Sequence, residues 1–185
     1  MTTLVCLLEE PSAKALLQGL LPRLLGTTVH VVYMVFEGKQ DLERRMAKRM
    51  SGWLQPDSRF VVLRDQDGGD CRKVKAGLQE RSMAAGKPDA LIRVACRELE
   101  AWVLGDLKAV GEAYGQPALG AHQAKSKFRT PDALGNPFEE LQKLVPDYQK
   151  VDGARRMGPR LNPDTNLSRS FGVFCEGVRR LAAIR

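Results

Sequence analysis

The sequence predicts an α/β protein in which a mainly parallel sheet is flanked by helices. Four short apolar runs each precede a segment whose apolar residues recur at helical spacing. Such repetition is typical of parallel sheets, because each crossover helix returns the chain for a strand in the same direction. The strand pattern stops after residue 115, so a helical and irregular C-terminal extension is expected.

The first two strand-helix units follow from this pattern. Residues 3–9, TLVCLLE, form an apolar run that ends in an acid and predict the first strand. Apolar residues at helical spacing predict the first helix at 13–25, with Ser12 as its N-cap. The run VHVVYMVF at 29–36 predicts the second strand, and 39–54 carry one apolar stripe that predicts the second helix.

The third and fourth units have the same form. The run FVVLRD at 60–65 predicts a strand, and 71–85 predict a helix that ends near Gly86. A fourth strand is expected at 89–95. Residues 97–114 place their apolar side chains on one face and predict a long fourth helix.

The remaining residues show a weaker pattern. Residues 115–137 are rich in Gly, Pro, Ala and Lys and predict a long loop. A short helix is expected at 138–145, and 147–167 are polar and predict irregular structure. The last helix is predicted at 168–184, with aromatic and aliphatic residues on one stripe.

Length and composition exclude several classes of protein. The 185 residues suit one domain, with a core at 1–115 and an extension at 116–185 packed on it. No apolar run is long enough to span a bilayer, and a start without basic residues argues against a signal peptide. The four cysteines are far apart and form no C-x-x-C, which argues against a disulfide framework or zinc site. We therefore expect a cytoplasmic protein with no membrane partner.

The charge is unevenly distributed along the chain. The net charge is +7, and residues 121–185 carry 12 Lys and Arg against seven Asp and Glu. A basic surface attracts polyanions such as DNA or RNA through counterion release. Ordinary solubility would explain the same excess.

Carboxylates follow three of the four predicted strands, and the acids concerned are Glu9, Glu10, Asp65, Asp67, Asp70, Glu98 and Glu100. The carboxyl ends of parallel strands meet at one edge of the sheet, where open α/β sheets bind ligands. Acids gathered there would repel each other, and a cation would relieve that repulsion. Because the cluster offers oxygen ligands without His or Cys, it favours Mg²⁺ or Mn²⁺.

Each acid also has an ordinary structural alternative. Asp70 could be the N-cap of the following helix, and Asp65 and Asp67 could be turn residues. The spacing of these aspartates does not match an EF-hand loop. Glu98 and Glu100 lie about 200° apart on a helix, so at most one of them faces the crevice.

The acidic segments resemble the Toprim domain. The segments are LLEEPSAK at 7–14 and VVLRDQDGGD at 61–70. Toprim is the metal-binding, Rossmann-like α/β core of topoisomerases, primase and overcoming-lysogenization-defect nucleases. Its signature is a Glu after the first strand, matched by Glu9, and a D-x-D after the third, matched by Asp65 and Asp67.

The second half of the chain is similar to small bacterial Toprim-like proteins of unknown function, which are linked with AAA or ABC-type ATPases and phage defence. The similar segments are RELEAWVLGD (97–106), DYQKVDGARR (147–156) and LSRSFGVF (167–174). Two positions depart from the Toprim pattern. Glu10 stands where a Gly is usual, and Ala13 where an Asp is common, so we expect a site that differs in geometry or metal number, or one that only binds.

The resemblance implies roles for the acids. Asp65 and Asp67 would ligate Mg²⁺ or Mn²⁺, and Glu9 would ligate a metal or act as general base. Glu100, or else Glu98, would complete the cluster, and Asp70 is a further candidate ligand. Candidate cations for a charged transition state are Lys14, which matches a basic residue of the Toprim turn, and Arg64, Lys150, Arg155 and Arg169.

The function implied is a metal-dependent nuclease acting on DNA or RNA with an AAA or ABC-type ATPase partner. A non-catalytic subunit that binds nucleic acid or a partner is the first alternative. A D-x-D glycosyl- or nucleotidyltransferase is the second, although the sequence contains no Gly-rich phosphate loop. Trp102 shares a face with Leu99 and Val103, which predicts a core position rather than a base-stacking one.

Overall fold

A four-stranded parallel sheet is the central layer of the computed structural model, which describes residues 2–26 and 28–183. The strands stand in the order β2-β1-β3-β4, and every neighbouring pair is parallel. They are β1 (Thr3–Leu8), β2 (His30–Val35), β3 (Ser58–Asp65) and β4 (Leu91–Ala95). The predicted α/β class with a parallel sheet is confirmed.

Eight α-helices are formed by the described residues. The first five are α1 (Pro11–Leu25), α2 (Lys39–Ser51), α3 (Cys71–Ala84), α4 (Glu100–Leu104) and α5 (Leu107–Ala113). The C-terminal region adds α6 (Pro137–Leu144), α7 (Lys150–Met157) and α8 (Arg169–Ala183). The last helix was predicted to reach residue 184, which lies outside the described residues. Within them, no helix has the length and apolar character needed to cross a bilayer.

The helices cover both faces of the sheet. Strand β1 is buried at every position, because alternate side chains enter two separate cores. Leu4 and Leu8 pack with α1, α4, α5, α7 and α8, whereas Val5 and Leu7 pack with α2 and α3. The C-terminal helices therefore complete the larger of the two cores.

Two helix predictions near the site are corrected. Ser12 is not an N-cap, because α1 begins at Pro11, a residue favoured in the first helical position. Residues 97–114 do not form one helix. Asp106 caps a new helix by accepting the N–H of Ala109 at 3.1 Å, and Asn166 packs where a side chain on Gly105 would stand.

Two predictions for the C-terminal region are also wrong. Residues 147–167 were expected to be irregular, but they contain α7, whose buried Ala154 and Met157 join the larger core. Its short length and polar composition hide this apolar face from a periodicity argument. The predicted loop at 115–137 contains three 3₁₀ segments, Pro117–Ala124, Ser126–Phe128 and Pro131–Ala133.

Helix α7 approaches α1 closely through glycines. A β-carbon on Gly158 would overlap the carbonyl oxygen of Leu16, and one on Gly19 would overlap Pro159. The two backbones are thus nearly in contact where the C-terminal region meets the first helix. This contact fixes the position of α7 relative to the sheet.

We predict that Gly158→Ala destabilises the protein by about 1–3 kcal/mol, because the methyl group overpacks this contact. Gly158 has helical dihedrals, so backbone strain does not contribute. Gly172→Ala in α8 is the control, since its β-carbon would meet no atom within 4 Å. That variant should gain up to about 1 kcal/mol from helix propensity. Urea unfolding measures both, and equal stability of Gly158→Ala and wild type would contradict the prediction.

Candidate functional site

The strand order creates a crevice between β1 and β3. The chain passes from β1 to β2 on one side and later places β3 on the other side of β1. Such a switch point opens a crevice at the carboxyl ends of the two strands. Glu9 follows β1 directly, and Asp65 is the last residue of β3. The acids that follow β1 and end β3 therefore meet at the crevice where sheets of this topology bind ligands.

Glu9 is held in place by its neighbours on β3. Its Oε2 accepts the backbone N–H of Asp65 at 3.0 Å, and its own N–H donates to Leu63 at 3.3 Å. Burial raises the pKa of Glu9. The bond from Asp65 opposes this rise, whereas the charge of Asp67 adds to it. Glu9 is thus an oriented carboxylate that binds protons more strongly than a free Glu.

The carboxylate of Asp65 is buried, and no side chain or backbone N–H of the described residues donates a hydrogen bond to it. Only 8% of the residue is exposed. Burial raises the pKa of Asp65 well above its usual range, and the charges of Glu10, Glu100 and Glu9 raise it further. This side chain would gain most from a cation.

Of the two acids that follow strand β4, Glu98 and Glu100, it is Glu100 that joins the acidic cluster. It begins α4 and is 1% exposed, and within the described residues its Oε2 has no hydrogen-bond partner. Burial raises the pKa of Glu100 to about 7, although Lys150 opposes the rise. Glu98 instead accepts the N–H of Phe138 at 2.8 Å, at the start of α6. The structure thus brings Glu100 to the cluster and gives Glu98 a structural partner.

Lys150 brings a positive charge from the C-terminal region. It is the first residue of α7, and its Nζ lies 3.7 Å from Glu100 Oε2 and over the ring of Phe138. Burial lowers the pKa of Lys150, but Glu100, Glu10 and Asp65 outweigh it and raise that pKa above its usual value. Lys150 therefore remains charged and partly balances the acids.

Asp67 lies on the other side of the crevice in a left-handed conformation. Its φ is 54°, and its N–H donates to the carbonyl of Arg97 at 2.8 Å. Its carboxylate binds Lys39 Nζ at 2.9 Å and lies 3.9 Å from Arg64. Lys39 was not among the site residues predicted from the sequence, although its place at the start of α2, beside the carboxyl edge, was a usable signal.

Arg64 is a structural cation rather than a free one. Its side chain is 8% exposed, its Nε donates to the carbonyl of Asp65 at 3.1 Å, and its guanidinium pairs with Glu43 of α2. It also lies 3.9 Å from Glu9. These contacts leave Arg64 little freedom to bind a substrate phosphate.

Among the described residues, the other predicted site residues form no hydrogen bond or ion pair with these acids. Asp70 is exposed and caps α3, with Oδ1 accepting the N–H groups of Arg72 and Lys73 at 2.8 and 3.0 Å. Arg155 is exposed and pairs with Asp152 at 3.8 Å. Lys14 is half-buried on α1, and Arg169 is exposed at the start of α8.

Trp102 is fully buried, which confirms its predicted core position. Its ring packs against Phe171 and Phe174 at centroid distances of 5.3 and 5.0 Å. The indole N–H donates to Ser170 Oγ at 2.8 Å. Trp102 therefore joins α4 to α8 and presents no free face to a base.

The side chains of the acidic cluster offer the oxygen ligands that a hard cation prefers, but they are not arranged around a common metal position. In residues 2–26 and 28–183, no group of three or more His, Cys, Asp or Glu is arranged to hold a metal. Glu100 is instead balanced by Lys150, and Asp67 by Lys39. The Glu100 oxygen that accepts no hydrogen bond and the donor-free carboxylate of Asp65 nevertheless fit Mg²⁺ or Mn²⁺.

Comparisons with known proteins agree with this fold. A family model described as "Domain of unknown function (DUF4276)" matches residues 8–179. The C-terminal region of the Burkholderia pseudomallei OLD protein is structurally similar, with a TM-score of 0.53 and 16% identity. That likeness covers 97% of this chain and 98% of the other, and at this identity it shows the fold alone. No curated protein matches the sequence.

The buried acid Glu100 predicts a pH-dependent stability. A raised folded-state pKa means that stability is full below the unfolded pKa near 4.5 and is lost as pH rises through about 7. In chelator at pH 8, Glu100→Gln should therefore be more stable than wild type, by an amount on the order of 2 kcal/mol. Below pH 4.5 this advantage should disappear.

Urea unfolding between pH 4 and pH 8 measures this difference. Glu80→Gln is the control, because Glu80 is exposed on α3 and its replacement should leave the pH profile unchanged. A stability difference between Glu100→Gln and wild type that does not vary with pH would contradict the prediction.

Proposed function

Because the chain belongs to the DUF4276 family and shares its fold with the C-terminal region of an OLD protein, we propose a nuclease function. The proposed reaction is metal-dependent cleavage of phosphodiester bonds in DNA or RNA. One observation carries this proposal: the acids of three strand-helix junctions converge on the switch-point crevice, as the influence of Glu9 and Glu100 on the pKa of Asp65 reflects.

The proposed metal ligands are Glu9, Asp65, Asp67 and Glu100, with Mg²⁺ or Mn²⁺ as the ion. When bound, such an ion polarises a phosphodiester and makes water a better nucleophile. Glu9 is also the candidate general base. One of its oxygens is held by the N–H of Asp65, and its raised pKa makes it a better proton acceptor than a free Glu.

Lys150 is the proposed cation for the substrate. It pairs with an acid that would bind metal, so an incoming cation would release its ammonium group toward a phosphate oxygen. A positioned cation stabilises the charge that develops in phosphoryl transfer. Lys39 can act in the same way on the side of Asp67.

An ATPase partner and a place in phage defence are further parts of the proposal, and they rest on the resemblance of the sequence motifs. These 185 residues contain no G-x-x-x-x-G-K-[ST] phosphate loop, so an ATP-driven step would need an ATPase outside them. The net charge of +7 favours a polyanionic substrate.

A non-catalytic binding subunit is the second candidate function. It is favoured by the ion pairs that already balance Glu100 and Asp67, and by the lack of a preformed metal-holding group among the described residues. Ala13, where an Asp is common in Toprim domains, points the same way. In this alternative the acids would stabilise the junctions rather than bind a metal.

Metal binding separates the two candidates. We predict that wild-type protein binds Mn²⁺ or Mg²⁺ in calorimetry, and that Asp65→Asn with Asp67→Asn abolishes the signal. Asn tolerates the left-handed conformation at position 67, so the double variant should remain folded. Asp70→Asn is the matched control, because Asn can also cap α3 and this acid stands apart from the cluster. Unchanged binding in the double variant would contradict the proposed site.

We further predict that Lys150→Gln lowers kcat for oligonucleotide cleavage by about 100-fold or more while metal binding is retained. The control is Arg155→Gln on the same helix, an exposed and locally paired position that should change kcat by less than about twofold. Rates of oligonucleotide cleavage at saturating metal concentration test both variants. Equal kcat for Lys150→Gln and wild type would remove Lys150 from the chemistry.

A further inference from the structure

A basic groove runs between helix α2 and the outer edge of strand β2, away from the acidic crevice. Its volume is about 500 Å³, and its lining residues are Met34, Arg45, Lys48, Arg49, Gly52 and Trp53. Strand β2 is an edge strand, so this side of the sheet is open to a partner. The groove is lined by three cations and no acid.

The positive charge of the groove is largely uncompensated. Arg45 pairs with Asp41 at 3.1 Å. Among the described residues, Lys48 and Arg49 form no ion pair, and both are exposed in the last turn of α2. Cations in the last turn of a helix are also stabilised by the helix dipole. That effect would explain Lys48 and Arg49, but not the groove or its third cation. A polyanion is the occupant that this arrangement attracts.

Trp53 gives the groove a fixed aromatic wall. Its indole N–H donates to Ser58 Oγ at 2.8 Å, and its ring meets Phe60 edge-on, with 6.5 Å between centroids. The side chain is only half-buried, so part of it remains accessible. An aromatic ring beside a row of cations is the combination that binds single-stranded nucleic acid.

Helix α2 connects this groove to the acidic crevice. It begins at Lys39, which pairs with Asp67, and its exposed face continues through Arg44 and Arg45 to Lys48 and Arg49. Thirteen helical residues span about 20 Å, which corresponds to about six nucleotides along one strand. A strand that enters the crevice could therefore follow α2 to the groove.

We propose that the basic groove binds the phosphodiester backbone of nucleic acid about six nucleotides from the acidic crevice. This inference rests on the proposed function, because it takes the substrate to be DNA or RNA. A second copy of the chain is a poorer occupant, since pairing two β2 edges would bring two sets of these cations together. Like charges opposed at an interface weaken it.

The test is anisotropy with a fluorescein-labelled 20-nucleotide dT strand and a 20-base-pair duplex, in chelator and at low salt. Lys48→Glu with Arg49→Glu should weaken binding at least tenfold and reduce the salt dependence of the affinity. The matched control is Arg179→Glu with Arg180→Glu, an exposed pair near the end of α8 in the opposite helix layer. That control should change the affinity less than threefold.

The two probes distinguish single-stranded from duplex substrate, and Trp53→Leu refines the result. It should weaken the binding of the single strand and leave duplex binding unchanged, whereas an unchanged single-strand affinity would overturn the stacking role. A dT strand of four nucleotides should bind more weakly than the 20-nucleotide strand by at least tenfold, because it cannot reach from the crevice to the groove.

Failure of this inference and failure of the nuclease proposal give different results. The groove assignment would be overturned if the groove and control variants lost affinity equally, or if wild-type protein did not bind the oligonucleotides. Metal binding by the acids would persist in either case, so the nuclease proposal would not fail with it. Binding to phosphatidylglycerol vesicles that is lost in the groove variant, with oligonucleotide affinity unchanged, would overturn it in favour of a membrane surface. Groove-dependent oligonucleotide binding without metal binding or cleavage would support the groove and contradict the nuclease.

Discussion

The balance of buried negative charge at the carboxyl edge of the sheet is the constraint on which the rest of this structure depends. Asp65 and Glu100 are almost completely buried, and the charges of Glu10, Glu100 and Glu9 add to the cost of ionising Asp65. Lys150 offsets this cost from α7, a helix positioned by the glycine contact between Gly158 and α1. The C-terminal region is therefore part of the crevice, because it carries the cation that the acids need.

Under the proposed function, a divalent cation would relieve the same imbalance. A single ammonium group 3.7 Å from Glu100 compensates one carboxylate, while the Asp65 carboxylate lacks any donor among the described residues. A doubly charged ion would satisfy both acids and would release Lys150 from its pair. The ion pairs of Glu100 and Asp67 thus have two explanations. They are either the final state of a binding subunit or the resting state of a metal site.

The sequence predicted the sheet and the position of the acids because both depend on local pattern and on a general rule of topology. Apolar runs located the strands, and parallel strands bring Glu9 and Asp65 to the same edge. It could not predict the break at Gly105, which depends on Asn166, a residue far along the chain. Nor could it identify the partner of Lys150 or choose between Glu98 and Glu100. Those outcomes follow from how α6 and α7 pack, and the polar sequence of α7 gave no sign of a buried face.

Helix α2 shows how one element can serve the crevice and the surface together. On its inner side, Glu43 pairs with Arg64, which lies 3.9 Å from both Glu9 and Asp67. On its outer side, the exposed positions include five Lys and Arg residues and no acid. The inward-facing Glu43 holds the structural cation of the crevice, whereas the outward-facing Lys48 and Arg49 form no ion pair among the described residues and remain available to a polyanion. This division of charge across a single helix gives a physical reason for a basic protein to keep its carboxylates together at the end of its central strands.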